Sequence, residues 1–326
     1  MGWTGKRVLV TGGEGFIGSH LVERLVRDGA SVRVLALYDP FGRYGWLDEV
    51  QGDIDLLPGD VRDAERVAGA VEGCEVVFHL AALIGIPYSY VAPESYVQVN
   101  VQGTVNVATA CRRHEVQRMV HTSTSETYGT AITAPIPESH PLQPQSPYSA
   151  SKIGADMMAL SFHHSFELPV AIVRPFNTYG PRQSTRAVIP TILTQLHRGA
   201  KQIHIGATSP TRDFNYVDDT VSGFLAVAAS DRALGEVVNI GSGEEISIGE
   251  LVQLLIDITG SSAELVTDEE RVRPAGSEVG RLLCDNTRAR EWAGWEPEIP
   301  LEEGLRRTSE WIAEHLDELD TNGYAV

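Results

Sequence analysis

The chain has 326 residues, 42% of them hydrophobic and 21% charged, enough for one large domain or two of ordinary size. Its 44 acidic against 26 basic residues give a formal net charge of -18, which argues against a general nucleic-acid surface but leaves room for a few arginines to hold a small anion. No apolar run is long enough for a membrane span, no signal-peptide pattern opens the chain, and Cys74, Cys111 and Cys284 are too scattered for a disulfide framework or a metal site; a cytoplasmic protein without a metal is expected.

Lys6–Thr11 is a short apolar strand that runs into Gly12-Gly13-Glu14-Gly15-Phe16-Ile17-Gly18. Helical periodicity follows through Leu21, Leu25 and Val26 and stops at Asp28-Gly29; Ser31–Leu37 is a second strand, completing a βαβ unit. The alternation continues with a strand at Glu75–Leu80, a helix at Val101–Cys111, a strand at Arg118–Thr122, a helix starting near Tyr148 and a strand at Val170–Arg174. This predicts an α/β fold with a Rossmann-type, doubly wound parallel sheet covered by helices on both faces. Beyond Pro175 come a polar loop (Asn177–Gln183), a helix (Val188–His197), an apolar helix (Asp218–Ala229), one more strand (Val237–Ile240), and then helices and loops with a charged loop at Asp268–Glu278. The expected division is a dinucleotide-binding domain of residues 1–176 with a returning segment 214–241. Residues 177–213 and 242–315 form a smaller interleaved α/β substrate domain, and 316–326 are a loose tail.

Gly12, Gly15 and Gly18 form Gly-x-x-Gly-x-x-Gly. Placed after a first strand and before a helix, such glycines permit a tight turn and close approach to a pyrophosphate, while the helix N-terminus attracts its charge. An acid some 20 positions on commonly holds the adenosine ribose. Here the second strand ends in Ala36 and Leu37, with Asp39 a little later, and Arg43 suits a 2′-phosphate equally; NAD is favoured over NADP. Asp60 is either a contact to the adenine or a simple strand-end turn.

Tyr148 and Lys152 stand four apart at the start of a helix, on one face. A tyrosine of pKa about 10 becomes a usable base only if cations stabilise its phenolate, and a lysine and a nicotinamide would both do so; three units cost about 4 kcal/mol. The bland alternative is an amphipathic helix with a half-buried tyrosine. Thr124, Ser125 and Glu126 follow the strand Arg118–Thr122, facing the crevice where ligands of parallel sheets bind. There Thr124 suits positioning of a substrate hydroxyl and Glu126 suits proton removal from carbon, unless the segment is only a capped turn.

With these residues in order, and with His79-Leu80-Ala81-Ala82, Arg174-Pro175-Phe176-Asn177-Thr178-Tyr179-Gly180-Pro181-Arg182 and Arg212-Asp213-Phe214, the chain resembles the extended short-chain dehydrogenase/reductase family from Val8 to about His315. The resemblance implies that Gly12, Gly15, Phe16, Ile17, Gly18, Asp39, Asp60, Val61, Leu80, Ala81 and Ala82, with Tyr148 and Lys152, bind the cofactor. It implies Thr124, Ser125, Glu126, Tyr148 and Lys152 as the catalytic set. Glutamate at 126 resembles the nucleotide-sugar 4,6-dehydratases rather than the 4-epimerases; Thr-Ser-Glu resembles both the GDP-mannose 4,6-dehydratases and the configuration-retaining UDP-N-acetylglucosamine 4,6-dehydratases, and the segments Pro144–Lys152, Ser209–Asp213 and Arg273–Val279 are similar to the latter more closely. Ser125 stands where dTDP-glucose enzymes have an aspartate, so either Glu126 handles both proton transfers or Ser125 and water assist. Arg212 and Arg273 are the implied diphosphate ligands, Asn177, Arg182 and Tyr88 further substrate contacts, and the helices near Val101–Arg112 and Tyr148–Phe162 an implied four-helix dimer interface. A 4-epimerase, a 5,6-dehydratase and a non-catalytic dinucleotide-binding regulator are the rival readings.

Overall fold

In the computed structural model, which describes residues 2–268 and 279–319, β1 (Arg7–Thr11) carries Val8 and Val10 into one apolar cluster and Leu9 into another on the opposite face of the sheet. Burying each such side chain contributes roughly 1.5–3 kcal/mol, so both faces of the strand are apolar through Val8–Val10. The chain then passes through the glycine turn into α1 (Phe16–Arg27), which buries Leu21, Val22 and Leu25. β2 (Ser31–Ala36), β3 (Ile54–Pro58), β4 (Val76–His79), β5 (Arg118–Thr122) and β6 (Val170–Pro175) follow. With the later strand Val237–Ile240 they make a seven-stranded sheet in the order Val237–Ile240, β6, β5, β4, β1, β2, β3, every neighbouring pair parallel.

Both faces are covered, as a parallel sheet requires. α1 and the helix Val217–Ala229 lie over one face through Leu21, Leu25, Val221 and Phe224. α2 (Ala64–Val71) and the helices Gly103–Arg113 and Pro147–Phe166 cover the other through Val67, Val107 and Phe162. The order of connection reverses between β1 and β4, so a crevice opens beyond their C-terminal ends.

The doubly wound α/β sheet thus matches the sequence reading, with differences at the margins. β3 and α2 were not foreseen. β3 is the edge strand, and four of its five residues are only partly buried, so its hydrophobic signal is weak. α2 does announce itself, because Asp63 caps it by accepting from Glu65 N and Arg66 N at 3.1 Å each. Asn177–Tyr179, read as loop, is a short strand parallel to Phe214–Tyr216. The helix expected from Val101 begins as a wider-wound turn over Val97–Gln102.

Past β6 the chain builds smaller units. Gln202–Ile205 pairs with Glu264–Thr267, and Thr211–Arg212 lies between Ile246–Ser247 and Arg281–Leu282. Ile248–Thr259 is a helix because Ser247 and Glu250 cap it reciprocally and Gly260, at φ +64°, ends it. Asp219, on the sheet-covering helix, accepts from Glu298 N at 3.0 Å and Ile299 N at 2.9 Å, tying the C-terminal segment to the sheet.

Candidate active site

A cavity of about 860 Å³ occupies the crevice, running from the glycine turn past β5 to the small sheet that holds Arg212. The glycines fit it to a dinucleotide. Gly12 has φ +72°, and a Cβ there would lie 2.8 Å from the Ala81 backbone; one on Gly18 would lie 2.1 Å from Gly12 O. Gly15 caps α1 with no side chain over the first amides, and the first turn carries no acid. Those N–H groups therefore face the cavity beside Phe16 and Ile17, where a pyrophosphate would meet donors and a favourable helix dipole. Leu80, Ala81 and Ala82, just beyond β4, form the facing wall, and Thr11 Oγ1 holds it by accepting from Ala81 N at 3.2 Å.

At the far end of this half the wall includes Asp60, Val61 and Leu37. The Asp60 carboxylate is paired with Arg62 at 2.6 Å, which holds its pKa below the usual range. Asp39 is not on the wall. Its Oδ1 accepts from Phe41 N at 2.7 Å and Arg43 N at 3.4 Å, so it folds its own loop, and the Arg43 guanidinium lies 5.1 Å from the Phe41 ring.

The central part joins β5 to the helix Pro147–Phe166. Ser146 caps that helix, accepting from Ser149 N at 3.1 Å, and Pro147 opens it; this sets Tyr148 in the first turn and Lys152 one turn further along the same face. Lys152 Nζ donates to Thr122 O at 2.6 Å, locking the helix to the end of β5. Thr124 lies just beyond, its Oγ1 accepting from Glu126 N at 3.3 Å as the cap of the short turn Ser125–Tyr128. Thr124, Ser125, Glu126, Tyr148 and Lys152, up to 28 positions apart in sequence, thereby share one stretch of wall.

Electrostatically the protein alone does not make Tyr148 a base. Burial between Ile86 and Tyr96 pushes its phenol well above the ordinary value; a hydrogen bond with Thr124 pulls the other way and the nearby Glu126 adds to the rise. Lys152 is pushed down to about 8 by burial, against the pull of Asp156. The lowering of Tyr148 anticipated from the Tyr-x-x-x-Lys spacing is therefore outweighed by desolvation within the protein.

Beneath Lys152 lies a buried polar network that the motifs did not reveal. Asp156 Oδ2 accepts from Ser123 Oγ at 2.5 Å and from Arg174 Nη2 at 2.7 Å, and Oδ1 lies 3.2 Å from His121 Nε2. Arg174 stacks 4.6 Å over the Tyr128 ring. Asp156 follows Lys152 by four and Arg174 opens the Arg-Pro-Phe-Asn segment, so helical spacing from Lys152 could have signalled the first.

In the outer half Tyr88, Asn177 and Arg212 reach the wall. Asn177 Nδ2 donates to Asp213 O at 3.3 Å and Arg212 Nη1 to Thr211 O at 2.9 Å. Arg186 and Gln183, not foreseen, also line it. Arg182 does not. Its left-handed backbone, φ +68°, turns it onto α1, where it pairs with Glu23 at 3.1 Å and approaches Glu49 at 3.9 Å. Arg273 lies outside the described residues. Among those described, no cluster of His, Cys, Asp and Glu suits a metal, and no helix is long and apolar enough to cross a membrane.

Known proteins share this fold. The family model for GDP-mannose 4,6 dehydratase matches residues 9–308. A UDP-glucose 4-epimerase of Mycolicibacterium smegmatis is 36% identical, with 94% of this chain and 98% of that one covered. DesIV, a dTDP-glucose 4,6-dehydratase from Streptomyces venezuelae solved with NAD bound, superposes with a TM-score of 0.87 at 32% identity, over 96% of this chain and 99% of that one. TunA, an NAD-dependent NDP-hexosamine 5,6-dehydratase, does so with a TM-score of 0.83 at 32% identity, over 96% and 99%. The chain belongs to the GDP-mannose 4,6-dehydratase family, the nucleotide-sugar dehydratases and epimerases of the extended short-chain dehydrogenase/reductase group.

Proposed function

We propose that the protein is a nucleotide-sugar 4,6-dehydratase that converts UDP-N-acetylglucosamine to its 4-keto-6-deoxy product. The observation that carries this reading is Glu126 on the same wall as Thr124 and Tyr148. A 4-epimerase needs a proton moved only at the C4 oxygen; a carboxylate beside that position suits removal of a proton from C5.

The glycine turn, Asp60, Val61 and the Leu80–Ala82 wall would hold NAD, which when bound would supply a hydride acceptor for C4 and a hydride donor for C6. Tyr148 Oη takes the C4 hydroxyl proton, and Thr124 orients that hydroxyl. The Tyr148 phenol, raised by desolvation, would be lowered toward working range by the Lys152 ammonium one helical turn away and by the positive ring of a bound cofactor. Glu126 then removes the C5 proton, made acidic by the adjacent ketone, and delivers a proton to the departing C6 hydroxyl; once hydride has returned to C6, C5 takes a proton exchanged from solvent, which completes the 4-keto-6-deoxy product. Ser125, buried beside it, orients the leaving oxygen. Arg212, Asn177 and Tyr88, together with Arg273, hold the nucleotide diphosphate and sugar; arginine's planar fork suits phosphate oxygens. Segments 177–213 and 242–315 supply this substrate-binding part. The active species is a cytoplasmic homodimer in which the helices Gly103–Arg113 and Pro147–Phe166 of two copies form a four-helix bundle. Exposed Met157 and Phe166 on the second of these support that pairing.

The test is product analysis in deuterated water. Incubation with UDP-N-acetylglucosamine should yield a product lighter by one water, with deuterium at C5 and a 4-keto signal by NMR. An unchanged mass with inverted C4 stereochemistry makes the protein an epimerase, and a 5,6 double bond makes it a 5,6-dehydratase. Glu126→Gln should bind substrate normally while dehydration falls by about 10²- to 10⁴-fold; full turnover by that variant removes Glu126 from the mechanism.

A further inference from the structure

A dinucleotide fold usually recognises the adenosine ribose through an acid at the end of the second strand. In this chain β2 ends at Ala36 and the next residue on the cavity wall is Leu37, an apolar side chain. Asp39 is committed to the amides of its own loop. A carboxylate nevertheless reaches the place, from the glycine turn. Glu14 lines the cavity, and its Oε1 accepts from Leu37 N at 2.9 Å. Its Oε2 is shielded from solvent and has no hydrogen-bond partner among the described residues. A buried carboxylate oxygen without a donor is costly unless a ligand supplies one. The neighbouring loop fixes the residue in place: Gly45, at φ +58°, lies so close that a Cβ there would stand 2.7 Å from Glu14 O.

We propose that Glu14 is the ribose-recognising acid of this enzyme, relocated from the end of β2 into the glycine turn, and that it selects NAD over NADP. Its carboxylate accepts from the adenosine ribose hydroxyls through the oxygen that Leu37 leaves free. A 2′-phosphate removes one of those donors and brings like charge against a desolvated carboxylate. Burial already raises the Glu14 pKa, so a second negative charge there is strongly disfavoured.

The inference rests on the dinucleotide reading above, and binding rather than turnover tests it. Isothermal titration of cofactor-free protein with NAD, NADP and 2′-deoxyadenosine NAD should show wild type favouring NAD over both by about tenfold or more, the scale of one hydrogen bond to a charged group. Glu14→Gln keeps an acceptor for Leu37 N but loses the charge, so its preference for NAD over NADP should fall by about tenfold. A Glu14→Gln variant with both affinities within about twofold of wild type makes Glu14 a mere brace for Leu37 and overturns the proposal. Should that variant not fold, wild type binding the 2′-deoxy compound as tightly as NAD overturns it equally. Wild type that binds no dinucleotide sinks the functional reading itself, a distinct result.

Discussion

Replacing Asp156 by asparagine tests whether the charge network under the site is held by electrostatic balance. The carboxylate is fully buried, 2.7 Å from Arg174 Nη2, 3.2 Å from His121 Nε2 and 2.5 Å from Ser123 Oγ. Burial pushes its pKa up, but His121 at 3.2 Å and the charges of Arg174 and Lys152 outweigh it and hold the group at about 2, against an ordinary 3.8. A depression of that size stabilises the fold by about 2 kcal/mol. Because the folded pKa is the lower one, this contribution is complete above about pH 4 and is lost only as pH falls toward 2. Asparagine keeps the volume and one acceptor, yet it leaves the Arg174 guanidinium buried without a counter-charge, a change that costs about 3–5 kcal/mol when a buried pair is broken. The expected loss at pH 7.5 is thus about 2–5 kcal/mol, a fall in melting temperature of roughly 3–7 °C for a chain of this length. Calorimetry and urea unfolding at pH 7.5 measure it. Adding Arg174→Met should recover part of the loss, with a coupling above about 1 kcal/mol. A single variant melting within about 1 °C of wild type refutes the reasoning.

Lys152 carries the opposite sign. Burial holds its pKa at about 8 instead of 10.5, so the folded protein disfavours the ammonium, and that penalty is fully present below pH 8 and vanishes as pH rises to about 10.5. Lys152→Met should therefore melt higher than wild type at pH 7.5, by up to about 3 kcal/mol less the bond to Thr122 O, with the gain shrinking toward pH 10. Tyr148→Phe should keep its packing against Ile86 and Tyr96 but slow cofactor reduction by about 10²- to 10⁴-fold, read from the absorbance of the reduced nicotinamide. Gly18→Ala forces a Cβ to within 2.1 Å of Gly12 O; it should cost about 1–3 kcal/mol and weaken NAD binding at least about tenfold by titration.

The central sheet and the Tyr148–Lys152 wall of the cavity were legible because each rests on a local signal. β1 and the glycine turn are contiguous, and Tyr148 with Lys152 is fixed by helical spacing alone. That Thr124 and Glu126 would meet them follows from both lying beyond the ends of parallel elements, which the sequence order implies. What could not be read depends on backbone turns and side-chain direction. Arg182 sits in an arginine-rich motif, but its φ of +68° sends it to Glu23. Asp39 has the right chemistry at nearly the right distance from the glycines, but it satisfies the amides of Phe41 and Arg43. Glu14 was in plain view between the glycines of the turn; only the end of β2, three-dimensionally adjacent, shows what its carboxylate touches.

The position of the strand Val237–Ile240 at one edge of the sheet has a consequence for how the protein is born. β6, buried at all six of its residues, leaves the ribosome about sixty residues before the strand that covers its outer edge. At about 5–20 residues per second the nascent chain carries that open apolar edge for several seconds. A chaperone that masks exposed strands has its natural window there, and a stop codon between 176 and 236 yields a fragment with an uncapped, aggregation-prone sheet.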